Sequence, residues 1–460
     1  MAHAERHTGV ALSDSLLATA QCVRGVLAGE SLSVCLAGQP VKIRPSAQAL
    51  SFFVMRRLGL AKALRGLLVR RAPADPQLDA LLLTALALLD AALVSPHDCP
   101  DMAPHDGAPN YSVHTLVDQT VSCAYGRLRK YRGFLNGTLR NFIRQRDALL
   151  AQLRHNEVAR WNYPQWWIDH MRTAWPQHWQ SILRAGNMPP PMALRANRLR
   201  ITVAELVSLF SEHGIGATSL GEDAVVLDQP APVHQLPGFE EGLWSVQDVS
   251  AQLAGRLLPV SDGMRVLDAC AAPGGKAAHL LERANIDLLA IDQDSQRLQR
   301  VQDTIDRLHH APRVRLVCGD ASQPAAWWDG QLFDAVLADV PCTGSGVVRR
   351  HPDIRWLRRQ TDLDRTAAVQ RQILDALWPL VAPGGHLLYV TCSVFPAEGE
   401  QQVQDFMQRH NNIQRLSAPG QLLPLYPEGQ TDRGDGFFYA LFTRTPSAAD
   451  GLRGPACRPQ

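Results

Sequence analysis

Residues Val266-Leu-Asp-Ala-Cys-Ala-Ala-Pro-Gly-Gly-Lys276 run from a short apolar strand through a glycine-rich turn into a helix. Glycines at such a turn let a ligand approach the backbone closely at the helix start. The pattern is not a phosphate-binding P-loop, because Cys270 stands where the first Gly would be and Ala277 where Ser or Thr would be. It is not Gly-x-Gly-x-x-Gly either. Asp292 closes the next apolar strand, 17 residues beyond Gly275, where a carboxylate can accept both ribose hydroxyls. Asp320, in Cys318-Gly-Asp-Ala321, closes a third and can accept the exocyclic amine of an adenine. One Asp at a strand end is commonly a cap. Asp268, Asp292 and Asp320 at successive strand ends, beside a Gly turn, point to an adenosine cofactor without a pyrophosphate. S-adenosylmethionine fits that description.

Outward from this turn, strands are predicted at 265–267, 288–291, 314–317, 335–338 and 386–390, with helical stretches between them. One such stretch, 362–380, ends before Pro383-Gly-Gly385. Alternating β and α predicts an α/β fold with a doubly wound parallel sheet. Residues 436–442 read as a late strand with no helix after it, and the tail from 446 to 460 as disordered. Upstream, residues 1–155 are mostly helical, and 79–90 is apolar nearly all round, as the central helix of a bundle would be. Residues 156–243 form a small α+β middle segment. It opens on Trp161-Asn-Tyr-Pro-Gln-Trp-Trp167, aromatics better suited to packing than to base stacking. Arg195, Arg198 and Arg200 lie on a strand that could track phosphates.

Two of the strands end in thiols, in Asp339-Val-Pro-Cys342 and Thr391-Cys-Ser393. Ligands of open α/β sheets bind outside the carboxyl ends of the strands. If these strands are neighbours, one thiol can act as nucleophile and the other can assist. Carbon 5 of a pyrimidine is a poor nucleophile until a thiolate adds at carbon 6, after which it can attack a sulfonium methyl group. That chemistry needs a thiolate and an acid near N3 of the ring. Asp339, three residues before Cys342, is placed for the second task.

The composition is that of a soluble globular protein, 46% hydrophobic and 20% charged, with a net charge of +2. The distribution of charge says more than its sum. Nine Lys/Arg face two Asp/Glu between Arg127 and Arg160, and Arg349, Arg350, Arg355, Arg358 and Arg359 cluster after Cys342. Two basic clusters suit a polyanion such as RNA. Nine scattered cysteines with no Cys-x-x-Cys indicate a reduced, cytoplasmic setting. No signal-peptide pattern opens the chain, and the apolar run 80–94, broken by Asp90, is too short to span a bilayer. His97, Cys99 and His105 fit no zinc spacing, so no metal is expected and 95–110 reads as a flexible insertion.

Asp268-Ala-Cys-Ala-Ala-Pro-Gly-Gly-Lys276, Asp339-Val-Pro-Cys342 and Thr391-Cys-Ser393 together resemble the motifs of the RNA cytosine-C5 methyltransferase (Nol/Nop/Sun) family. Val246-Gln-Asp-Val-Ser-Ala-Gln252 is similar to the segment that precedes the first of them. The resemblance implies a Rossmann-like class I methyltransferase domain at 244–445. It also implies Cys392 as nucleophile, with Cys342 aiding product release. Cofactor contacts carry over to Cys270, Ala271, Ala272, Pro273, Gly274, Gly275, Lys276, Asp292, Asp320 and Asp339. Gly133-Phe-Leu-Asn-Gly-Thr-Leu-Arg140 resembles a NusB-like RNA-binding domain, here 1–155, which marks the bacterial branch acting on 16S rRNA. That branch implies 16S rRNA as partner, no stable protein partner and a monomer. Val340 replaces an Ala of the usual pattern, and Ala277 and Ala278 replace Thr residues. Pro396-Ala-Glu-Gly-Glu400 keeps Glu398 but lacks the usual Asn. The same motifs serve enzymes acting on tRNA or another rRNA. A non-catalytic RNA-binding assembly factor is a further alternative.

Overall fold

The computed structural model describes residues 10–93, 109–426 and 434–446. His97, Cys99 and His105 of the insertion, and the tail from residue 447, lie outside the described residues. The chain divides into two compact units, Met1–Pro189 with Val348–Gln360, and Pro190–Val347 with Thr361–Gln460. The sequence suggested divisions near 155 and 243. The first three helices of that middle segment, Glu157–Trp161, Gln165–Ala174 and Trp179–Asn187, fall in the first unit, and the helix Val203–Glu212 and the strands fall in the second.

The first unit is helical. Its centre is Pro76–Leu93, packed against Leu12–Leu27 and Arg44–Leu68. This helix is long and apolar enough to cross a membrane, where the run read from sequence fell short. Its apolar surface is spent on the bundle instead, and Asp90 is fully buried between Arg57 at 2.5 Å and Arg146 at 3.0 Å. Gly59 allows one close crossing, since a Cβ there would collide with the Val158 carbonyl. Trp161, Tyr163 and Trp167 are buried, so the aromatic run is packing. Residues 111–153 form Val113–Ser122, a 3-10 turn Gly126–Tyr131 and Arg132–Gln152. Along them Arg127, Arg129, Lys130, Arg132, Arg140 and Arg144 are exposed.

Two arginines of the second basic cluster, Arg349 and Arg355, are enclosed, whereas Arg359 is exposed. Arg349 and Arg355 are 1% and 0% exposed, and the segment carrying them is built into the helical unit. Arg355 donates to the carbonyls of Asn162 and Gly186 and to the Asn187 side chain, and lies 3.9 Å from the Tyr163 ring centroid. Burial strips the guanidinium of hydration and pulls its pKa down; the carbonyls and the ring face offset that loss. Trp356 donates to the Met55 carbonyl at 2.8 Å, and Asp353 accepts from the Leu32 N–H at 2.9 Å. Arg355, Trp356 and Asp353 therefore anchor this segment within the helical unit.

The second unit carries two sheets. The smaller contains β1 (Met192–Ala196), β2 (Ala217–Leu220), β3 (Ala224–Leu227) and β4 (Trp244–Val246), all antiparallel in the order β2-β3-β1-β4. Arg195 of β1 does not track phosphates. It is 1% exposed, paired with Glu282, and donates to Gln247 at 2.6 Å. The larger sheet contains β5 (Arg265–Asp268), β6 (Asp287–Asp292), β7 (Val314–Cys318), β8 (Phe333–Asp339), β9 (Val381–Thr391), β10 (Ile413–Leu422) and β11 (Phe437–Arg444). Its order is β10-β11-β9-β8-β5-β6-β7, with β11 antiparallel to both neighbours and the β7-to-β9 portion parallel. This is the doubly wound sheet expected, with β10 added. The stretch read as helix 362–380 is Gln360–Leu377 followed by a 3-10 turn.

Asp90 neutralises two largely buried guanidinium groups at once. Asp90→Ala should lower unfolding free energy by about 3–5 kcal/mol, and urea denaturation of the full chain measures it.

Candidate active site

The order of the large sheet reverses at β5, between β6 and β8, so the crevice of the fold opens outside the ends of β5 and β8. The turn after β5 is pinned by backbone bonds from Ala271 N–H to the Ile291 carbonyl, at 2.9 Å, and from Gly274 N–H to the Ala271 carbonyl, at 2.7 Å. Gly274 has φ +100°, and a Cβ there would crowd Val301. Asp292 is nearly buried; it accepts from the Ala272 N–H at 3.2 Å and the Asp294 N–H at 3.1 Å. Asp320 accepts from the N–H and hydroxyl of Ser322, both at 2.8 Å. These strand-end residues share a cleft of about 370 Å³ with Cys270, Arg297, Pro341 and Thr366. Arg297 and Thr366 escaped the sequence reading because they sit on helices with no motif around them.

Asp268 tests whether the cofactor fits. It is 1% exposed, and neither of its carboxylate oxygens accepts a well-formed hydrogen bond. Burial first, and then the charge of Asp339, push its pKa up to about 7, against the weaker pull of Lys276 and the Cys270 amide. A buried, unpartnered carboxylate suits a ligand that brings positive charge. S-adenosylmethionine brings an ammonium and a sulfonium.

The two thiols meet because β8 and β9 are neighbours in parallel register, with Asp339 opposite Val390. Cys342 and Cys392 leave these strands side by side, and their sulfurs are 3.2 Å apart. The loops are stitched together by Gly346 N–H to the Cys392 carbonyl at 2.9 Å and by Ser345 to Ser393 at 2.8 Å. Contact with Cys392, then burial, then the charges of Cys392 and Glu398, push the Cys342 thiol well above its ordinary range. Cys342 therefore holds its proton tightly. Asp339 meets Lys276 Nζ at 2.5 Å. Burial alone would lower the Lys276 pKa, but the Asp339 carboxylate outweighs it and raises it. The pairing of Lys276 with Asp339 was not visible in the sequence, where Lys276 read only as part of the turn.

This sheet, with its Gly turn, strand-end carboxylates and unpartnered Asp268, defines a class I S-adenosylmethionine-dependent methyltransferase. The family model "16S rRNA methyltransferase RsmB/F" matches residues 256–443, and a ferredoxin-like domain of RsmF/B-like methyltransferases matches 163–234. "Ribosomal RNA small subunit methyltransferase B" of Cronobacter sakazakii is 44% identical over 337 residues, 71% of this chain and 77% of that one. The protein of the same name in Vibrio cholerae is 43% identical over 340 residues, 72% and 77% of the two chains. The chain belongs to the RsmB/F family of 16S rRNA methyltransferases. Among solved structures, that of PH0851 shares the fold with a TM-score of 0.74 at 24% identity, over 94% of this chain and 99% of the other. A methyltransferase homologue from Pyrococcus horikoshii matches with a TM-score of 0.54 at 25% identity, over 63% of this chain and 98% of its own.

The raised Asp268 pKa fixes the sign of one pH dependence. Below about pH 7 the free protein carries Asp268 protonated, and binding a cation must expel that proton. Affinity for S-adenosylmethionine should weaken as pH falls below 7, by at most about tenfold per unit. Asp268→Asn should bind weakly and with a flat profile over the same range; calorimetry at successive pH values measures both.

Proposed function

We propose that this protein transfers the methyl group of S-adenosylmethionine to C5 of one cytosine in 16S rRNA, through a covalent adduct between Cys392 and C6. The observation that carries this reading is the pair of sulfurs 3.2 Å apart, beside the Lys276–Asp339 pair. Residues 270–276, Asp292 and Asp320 would hold the cofactor, which supplies an electrophilic methyl group. The Cys392 thiolate adds to C6 of the cytosine. N3 takes a proton from the Asp339 side of the site, where Lys276 keeps a proton in reserve. C5, now enamine-like, accepts the methyl group. A base then removes the C5 proton, the C6–sulfur bond breaks, Cys392 leaves as a thiolate with Cys342 assisting, and N3 returns its proton to the Asp339 side.

The target base must leave its stack to reach a strand-end sulfur, so the substrate is single-stranded or opened at that point. The exposed Arg127–Arg144 face of the NusB-like helical domain supplies phosphate contacts, and the enzyme works as a cytoplasmic monomer. The roles of the two sulfurs separate in one experiment. With 16S rRNA and labelled cofactor, Cys392→Ser should lose at least about 10³-fold in methyl transfer, and Cys342→Ser should accumulate a protein–RNA adduct stable on a denaturing gel. Full methylation by the Cys392 variant would falsify the assignment. Bisulfite sequencing of RNA from a strain lacking the gene should show one unmodified cytosine in 16S rRNA; a missing mark in tRNA instead would move the substrate.

A further inference from the structure

Glu398 has no exposed surface, and its carboxylate gathers five donors, all neutral. Oε1 accepts from the Thr343 N–H at 2.8 Å, the Thr366 hydroxyl at 2.7 Å and the Gln370 amide at 3.2 Å. Oε2 accepts from the Thr343 hydroxyl at 2.5 Å and the Ser393 hydroxyl at 2.6 Å. Thr343 directly follows Cys342, and Ser393 directly follows Cys392. Thr366 and Gln370 lie one turn apart on the helix Gln360–Leu377. Two cysteine loops and one helix thus converge on a single buried anion. The Tyr389 and Thr391 hydroxyls donate to the Glu398 carbonyl, at 2.9 and 3.2 Å, and fix its backbone to β9.

We propose that Glu398 is the positioning residue of the thiol pair: one carboxylate, bound to the residue after each cysteine, sets the separation of the two sulfurs and their division of labour. This rests on the covalent reading above. A carboxylate can only accept hydrogen bonds, so both loops must present donors inward, which leaves little freedom in either loop. The glutamate acts through Thr343 and Ser393 and does not touch the reacting atoms. Its charge also favours the protonated form of Cys342. The other titratable or charged groups near the sulfurs are Lys276, Asp339, Tyr389 and Tyr439.

Glu398→Gln keeps the shape but puts an amide NH2 at one oxygen, so at least one inward donor loses its acceptor. Iodoacetamide labelling of the full chain without RNA, between about pH 6 and pH 10 and read at each cysteine by mass spectrometry, follows the two thiols separately. In the wild type Cys342 should label only toward the alkaline end of this range. In Glu398→Gln the onset of Cys342 labelling should fall by at least about one pH unit, and kcat for methylation by about 100-fold, with KM for the cofactor within about twofold. Should Glu398→Gln not fold, Ser393→Ala, which removes one of the five donors together with the hydroxyl's contacts to Ser345 and the Phe395 N–H, should move kcat in the same direction by about tenfold. A folded Glu398→Gln with wild-type labelling and kcat overturns the proposal, as does lost stability with unchanged thiol reactivity. Failure of the covalent reading would instead show as methylation by Cys392→Ser, while labelling still reported the Glu398 contacts.

Discussion

The parallel register of β5, β8 and β9 is the constraint from which the active site follows. Val266 lies opposite Ala335, and Asp339 lies opposite Val390. These strands are buried on both faces, so they read as continuous apolar runs and pack without an exposed side. Their carboxyl ends then deliver Asp268, Asp339, Cys342 and Cys392 to one end of the sheet. A slip of β9 by one residue would turn every side chain of the strand to the opposite face. Sheet registration, enforced by the apolar core, therefore brings the two cysteine loops together, and the contacts within the loops fix how the sulfurs meet. Gly346 shows how tight the refinement is, since a Cβ there would run into the Gly436 carbonyl.

Buried charge recurs in this molecule, and each instance is handled differently. Asp90 sits between two guanidinium groups. Arg355 rests among carbonyls and a ring face. Glu398 is held by hydroxyls and amides. Of these groups and Asp268, only Asp268 lacks a well-formed hydrogen bond, and it lies at the end of β5 beside the cofactor turn. Satisfied charges stiffen the protein; the unsatisfied one is matched to a cationic ligand.

Much of this was legible in the chain. The run from Val266 to Lys276 carries its own punctuation, so strand, turn and helix are local facts. The alternation of strands and helices gave the sheet in the same way. Adjacency of β8 and β9 is not local, and no residue near Cys342 announces Cys392; the resemblance to a family supplied that link, and the register explains it. Charge misled where burial decides. Arg195 and Arg355 counted as basic surface because an arginine is usually exposed, yet each finds enough acceptors to be enclosed. β10 was missed because Pro419 and Gly420 interrupt it, at the irregularity where its pairing with β11 shifts. Glu398 was visible as a residue, but its donors come from positions 343, 366, 370 and 393, a spread that no spacing rule detects.

The segment Val348–Gln360 belongs to the helical unit although it is encoded inside the methyltransferase half. On a ribosome this sets an order of events. The first 189 residues emerge well before the segment that completes their packing. At about 5–20 residues per second the delay is roughly 10–30 s. During that interval the carbonyls of Asn162 and Gly186 lack Arg355, and the Met55 carbonyl lacks the Trp356 N–H. The helical unit is thus left waiting for its last piece, and the strand that leads to Cys342 has already been synthesised when that piece arrives. Completion of the helical unit is in this way timed by synthesis of the methyltransferase half.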